Sequence, residues 1–220
     1  MPEGPSIVIL KEEVQDFTGQ KIVSVAGNSK IDQARLLNQT VISFKSWGKH
    51  FLICFDGFAL RIHFLLFGTY RINERKDTPV RLSLVFPNGE LNFYTSSIKF
   101  LEGNIDTQYD WSADVMNDDW DSKKAKSRLE TVPEKLICDA LLEQDIFAGI
   151  GNIIKNEVLY RVRVHPESQT EKIPKLKARE MIREARTYSF EFLEWKKKYE
   201  LKKHWRAYQN NLPEMQSTPA

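Results

Sequence analysis

The chain has 220 residues, 41% of them hydrophobic, enough for one ordinary core or two small ones, which excludes a mainly disordered chain. A net charge of +2 does not by itself argue for nucleic acid, and no apolar run approaches the roughly 20 residues that cross a bilayer. The N-terminus has no basic and apolar leader, and two cysteines cannot build a disulfide framework or a four-ligand zinc site, so a soluble, cytoplasmic protein without cofactor or metal is expected.

From Ser6 to Phe17, apolar residues at Ile7, Leu10, Val14 and Phe17 follow helical spacing and stop at Gly19. Between Ile22 and about Leu101 the pattern changes to short β-rich runs, VISFKSW, FLICF, FALRIHF, VRLSLVF and LNFYTS. Asp56-Gly57 and Asn88-Gly89 fall between such runs and tolerate the backbone angles of tight hairpins. This half reads as an antiparallel sandwich or barrel. From about Asn104 to Pro133 the chain turns polar and acidic, and the joint is placed there. Helical spacing returns in EKLICDALLEQ, in NIIKNEVLYRV and from Pro174 to Tyr208, so the second half reads as all helix. Both cysteines sit in apolar contexts, Cys54 in FLICF and Cys138 in KLICDALL, where a free thiol behaves as a small buried hydrophobe. From Ile173 to Tyr208 there are 11 Lys and Arg against 5 Asp and Glu, an excess that fits either phosphate neutralisation or a solvated helical face.

Chemistry can sit at the N-terminus, Met1-Pro2-Glu3-Gly4-Pro5. Pro2 is small, so removal of Met1 would expose a secondary amine. An α-amino group titrates near 7.7 to 8.0 against about 10.4 for lysine, which makes it the readier nucleophile at neutral pH. Attack of that amine on the anomeric carbon of a deoxyribose would expel the base and leave an iminium, and Glu3 beside it could protonate the ring oxygen as general acid. Taken alone, Pro2 and Pro5 equally serve to stop fraying ahead of the helix. A second motif runs LEQDIFAGIGNIIKNE from Leu142 to Glu157. Its Gly-x-Gly-Asn turn lets backbone N–H groups approach an anion, and the next helix adds its positive dipole end, so Gly151, Asn152 and Lys155 form a candidate phosphate cradle. A plain helix-helix connection is the alternative for the turn alone.

Together, the N-terminal sequence and this turn closely resemble the formamidopyrimidine-DNA glycosylase and endonuclease VIII family, over nearly the whole chain to about Tyr208. The resemblance implies an α+β protein, with an N-terminal antiparallel β-sandwich and helix followed by an all-helical helix-two-turn-helix domain, and DNA in the cleft between. It divides the chain into a catalytic domain at 1–110, a linker and first helix at 111–133, a DNA-binding domain at 134–208 and a tail at 209–220. Pro2 and Glu3 match the family's nucleophile and general acid, Lys49 in WGKHF its hairpin lysine beside the lesion, and Asn152 a phosphate contact. His165 matches the end of the helix-turn segment and reads as structural. In RIHFLLFG, three successive large apolar residues cannot all face one core, because neighbours on a strand alternate. Leu65, Leu66 and Phe67 resemble the void-filling wedge of the endonuclease VIII branch, which fills the space of a flipped base.

Two departures stand out. Ser6 occupies a position where the family usually has a glutamate supporting the active-site helix, and the chain ends without the family's four-cysteine zinc hairpin. The implied function is a bifunctional glycosylase and lyase of base-excision repair, removing oxidised bases, pyrimidines favoured, from double-stranded DNA, and acting as a monomer. The alternative is a module that binds damaged or abasic DNA with weak or no turnover because the finger is absent.

Overall fold

The computed structural model describes residues 2–209. Met1 and the tail beyond Gln209 lie outside the described residues, and with them the removal of Met1 and the expected tail at 209–220.

Helix α1 (Gly4–Glu13) starts two residues before the apolar pattern does, because Pro5 fits the first turn, where no N–H bond is lost. It ends early at Glu13, and a separate 3-10 turn, Gln15–Phe17, delivers Phe17 to the core. Eight strands follow: β1 (Ser24–Ala26), β2 (Ser43–Trp47), β3 (His50–Phe55), β4 (Phe58–His63), β5 (Thr69–Ile72), β6 (Leu82–Phe86), β7 (Gly89–Tyr94) and β8 (Ser97–Glu102). They form two antiparallel sheets, ordered β1-β6-β7-β5 and β2-β3-β4-β8. The choice between sandwich and barrel is thus settled as a sandwich. Phe55 pairs with Phe58 around Asp56-Gly57, a two-residue turn as the sequence predicts.

Alternation sets the layers. Phe51, Ile53, Leu60 and Ile62 point inward to meet Leu84, Leu91 and Phe93 of the other sheet, and Ile7, Leu10 and Val14 of α1 complete this core. The second half comprises α2 (Ser122–Glu130), α3 (Ile137–Ala140), α4 (Gln144–Phe147), α5 (Asn152–Val162) and α6 (Lys175–Lys197). Its core gathers Leu129, Ile137, Phe147, Ile154, Val158, Met181, Tyr188 and Phe192. Cys54 is buried, whereas Cys138 on α3 is only half-buried, so the expectation of a core thiol fails there: the side chain stands at the rim of the helical core.

The acidic stretch read as a joint is not a free linker. Ile105, Tyr109, Trp111 and Ala113 cover the outward residues Trp47, Leu52, Cys54 and Ala59 of the second sheet, and Trp47 Nε1 donates to the Asp110 carbonyl at 2.9 Å. Its acidic and amide side chains close turns upon themselves. Asp110 accepts from Ser112 N, Asn117 from Asp119 N, and Asp121 caps α2 by accepting from Lys123 N and Lys124 N. Local polarity here specifies turns rather than disorder.

Asp106 also meets Lys45 Nζ on β2 at 2.8 Å, and Asp114 reaches the hairpin beside it. Its Oδ2 accepts from Gly48 N at the tip of the β2-β3 hairpin at 3.0 Å, and its Oδ1 accepts from Met116 N at 2.9 Å. The carboxyl is 2% exposed, and burial raises its pKa from the ordinary 3.8 to about 6 in spite of those two amides and of Lys11 and Arg186. A raised carboxyl pKa favours the fold while the group is neutral. Its contribution is full below about pH 4 and is lost as pH rises through about 6, amounting to on the order of 3 kcal/mol. Denaturant unfolding of the unsubstituted protein and Asp114→Asn across this window should show the difference moving toward the asparagine variant by that order as pH rises. A pH-independent difference would show that the carboxyl is not held neutral.

Candidate active site

The sequence places Glu3 and the GIGN turn nearly 150 residues apart, and the fold joins them. Glu3 is 0% exposed, and its carboxyl sits at the start of α5. Oε1 accepts from Ile153 N at 2.7 Å, while Oε2 accepts from Gly151 N and Ile154 N, each at 3.1 Å. The first amides of a helix lack intrahelical partners and stand at its positive end, so a carboxylate there is doubly favoured. Burial nevertheless raises the Glu3 pKa, against the pull of the three amides and of Lys49. Gly151 is required at this contact, because a Cβ on it would lie 2.5 Å from Glu3 Cδ.

Within the expected phosphate cradle, the Gly151 amide has a partner inside the protein. Within the GIGN turn Gly151 N is taken by Glu3, Gly149 N by Gln144 Oε1 at 3.1 Å and Ile150 N by the Phe147 carbonyl at 3.2 Å, so Gly151 offers no free N–H to an external anion. Asn152 is exposed, and its Oδ1 accepts from Lys155 Nζ at 3.2 Å, which leaves these two side chains to present the turn to solvent.

A second close approach brings in Lys49. It occupies the two-residue tip of the β2-β3 hairpin, after Gly48, whose φ of +52° is the left-handed conformation that glycine adopts without strain. A Cβ on Gly48 would meet Gly149 N at 2.8 Å, so backbone packs on backbone. On the other side Gly4 N donates to the Gly149 carbonyl at 2.8 Å. The hairpin tip, the start of α1 and the turn before α5 therefore meet around Gly149, and Lys49 falls within the field of Glu3. Burial lowers the Lys49 pKa, and Glu3 partly restores it.

Pro2 opens onto a cleft of about 1020 Å³ between the halves, spacious enough for a nucleotide-sized ligand. Ser6, Leu66 and Phe67 also line it. Leu65, Leu66 and Phe67 form the turn between β4 and β5 and are 47%, 56% and 77% exposed, while the preceding Phe64 is buried. Three adjacent large apolar side chains thus stand in solvent, and two of them, Leu66 and Phe67, line the cleft with Pro2.

Several residues of the site escape the sequence reading. Lys196 on α6 lines the cleft with Pro2, and burial lowers its pKa against the opposing influence of Glu13 and Glu3. A signal existed: Ser189, Phe192 and Lys196 follow one helical stripe, which puts a lysine where a core residue is due. Glu157, on α5, is 1% exposed and accepts from the backbone N–H groups of Arg206, Ala207 and Tyr208 at 2.8 to 2.9 Å. It thereby fixes the segment carrying Trp205, which forms part of the cleft wall. His165 accepts from Glu167 N at 3.2 Å, in the turn after α5. Cys54 and Cys138 lie in different halves, and among the described residues no three His, Cys, Asp or Glu side chains group as metal ligands, so these residues do not fit a zinc site.

Comparison with known proteins covers the chain from both ends. It is similar to endonuclease 8-like 3 of Mus musculus, 29% identical over 72% of this chain and 28% of that one. It also resembles the DNA-(apurinic or apyrimidinic site) lyase Nei2 of Mycolicibacterium smegmatis, 28% identical over 52% of this chain and 48% of that one. The chain spans only 28% to 32% of the length of the endonuclease 8-like 3 relatives it matches. In fold it is similar to formamidopyrimidine-DNA glycosylase of Lactococcus lactis, solved non-covalently bound to DNA containing an abasic site. That likeness has a TM-score of 0.80 at 22% identity, over 90% of this chain and 86% of that one. Residues 1–100 match the formamidopyrimidine-DNA glycosylase N-terminal domain and residues 112–196 match the formamidopyrimidine-DNA glycosylase H2TH domain, and with both halves so matched the chain belongs to the formamidopyrimidine-DNA glycosylase family.

Proposed function

We propose that this chain carries out base-excision repair as a DNA glycosylase and abasic-site lyase, with the amine of Pro2 as nucleophile and double-stranded DNA bearing oxidised bases, pyrimidines favoured, as substrate. The observation that carries the reading is the cleft itself. It sets Pro2 beside an exposed apolar turn, with Glu3 anchored behind and Lys49 close by. The names of the relatives support the same reading: an abasic-site lyase among them, and a fold neighbour solved with abasic-site DNA.

In this proposal the Pro2 nitrogen attacks C1′ of the damaged nucleotide, the base departs with the glycosidic electron pair, and the sugar ring opens to an iminium. Loss of a proton from C2′ then expels the 3′ phosphate. Glu3 supplies a proton to the ring oxygen, and its raised pKa is the direction such an acid needs. Lys49 contributes a positive charge beside the reacting sugar. Leu65, Leu66 and Phe67 enter the space vacated by the extruded nucleotide, offsetting an unstacking cost of a few kcal/mol. Asn152 and Lys155 contact backbone phosphate, while Gly151 serves by holding Glu3.

Borohydride reduction on abasic-site duplex tests the nucleophile. Protein whose intact mass shows loss of Met1 should give a covalent adduct, and the same chain with Met1 retained should give none, because its Pro2 nitrogen is a tertiary amide. Equal adduct from both forms, or none from either, contradicts the assignment.

The apolar turn has its own test. Replacing Leu65, Leu66 and Phe67 together with alanine should slow excision from duplex DNA by at least about tenfold more than it slows cleavage at a preformed abasic site, since only the first reaction must extrude a base. Equal losses on both substrates would remove the wedge from the mechanism.

A further inference from the structure

The basic excess of α6 does not all face the cleft. Phe192 and Lys196 line the cleft, whereas Arg179, Arg183, Arg186 and Phe190 line a separate groove of about 700 Å³ between α6 and α2. At about 100° per residue the two sets stand more than a quarter-turn apart around the helix. Lys123 and Lys126 of α2 form the opposite wall, Lys126 paired with Glu130 at 3.0 Å, and no carboxylate is among the residues lining the groove. Arg186 is fixed, its Nη1 donating to the carbonyls of Val115 at 2.9 Å and Asn117 at 2.7 Å. Arg179 has no ion-pair partner among the described residues, and Arg183 meets only Glu184 at 3.6 Å.

We propose that this groove docks an acidic peptide segment of a partner protein, one that carries aliphatic side chains among its carboxylates. Two cationic ridges face each other across an apolar floor that includes Ile182, and planar guanidinium forks suit carboxylates. The rings here are poor platforms for the stacked bases of a single strand. Phe190 has the Arg186 guanidinium over one face at 4.9 Å, and Trp120 leans on Phe147 at 6.0 Å. A duplex backbone would find the cations but has nothing apolar to place against Ile182. Aliphatic side chains flanked by carboxylates match both features, and the position on α6 leaves the groove open when the cleft is filled.

Fluorescence anisotropy with a labelled dodecapeptide of glutamate and aspartate, leucine at every fourth position, tests this on the full chain. Micromolar binding is expected, weakened about tenfold or more by Arg179→Glu with Arg183→Glu, two exposed substitutions that leave the fold intact. Phe190→Ala should weaken the leucine-bearing peptide and leave the affinity for an all-glutamate dodecapeptide unchanged. Any of three results overturns the proposal: no binding of the leucine-bearing peptide, equal affinity for the all-glutamate one, or tighter binding of a dodecamer of thymidylate that the same arginine substitutions abolish.

Discussion

The carboxyl of Glu3, buried against the first amides of α5, is the contact on which the arrangement of the molecule depends. Those amides need acceptors and lie where water does not reach, and the carboxylate meets three of them at once. Because Glu3 follows Pro2 directly, fixing one fixes the other. The contact also ties the first residues of the sandwich half to the helical half, so the cleft between them has a defined width. Removing either side would leave buried polar groups without partners, a loss of several kcal/mol rather than the fraction expected of a surface pair.

Helix α5 extends this role along its length. Its first turn holds the N-terminal segment through Glu3, and one turn later Glu157 holds residues 206–208 through their three backbone N–H groups. Opposite ends of the described chain are thereby pinned to one short helix. Glycine makes the close approaches possible: at Gly48 and Gly151 a single added carbon would collide with backbone or with the Glu3 carboxyl. Lys49 reaches the site only because the hairpin tip can press against Gly149, and Asp114 secures that tip from the other side.

Much of this was legible in the sequence, and the failures share causes. The five strands recognised from their runs, β2, β3, β4, β6 and β7, are mostly buried and show it as dense apolar runs. The three missed, β1, β5 and β8, are all edge strands, half-exposed, without that pattern. Polar residues from about Asn104 to Pro133 suggested a joint, since single-residue polarity does not distinguish a connection from a series of side-chain-capped turns. The apolar turn at Leu65, Leu66 and Phe67 was visible because three neighbours cannot share one core. The partner of Glu3 was not, because a bond between residues 3 and 151 leaves no local signature, and the Gly151 amide looked free for phosphate until the fold brought a carboxylate to it.

The most direct measurement of the central claim is the yield of borohydride-reduced adduct on abasic-site duplex, comparing processed Gly151→Ala with the processed unsubstituted protein. The substituted residue carries no reactive group, and its added methyl displaces the Glu3 carboxyl from α5. If that contact positions the Pro2 amine, adduct formation falls by on the order of tenfold or more while the chain remains folded by circular dichroism, since a shift of about 1 Å is costly to an attacking atom. Adduct formation at the unsubstituted rate in a folded Gly151→Ala protein would contradict the account.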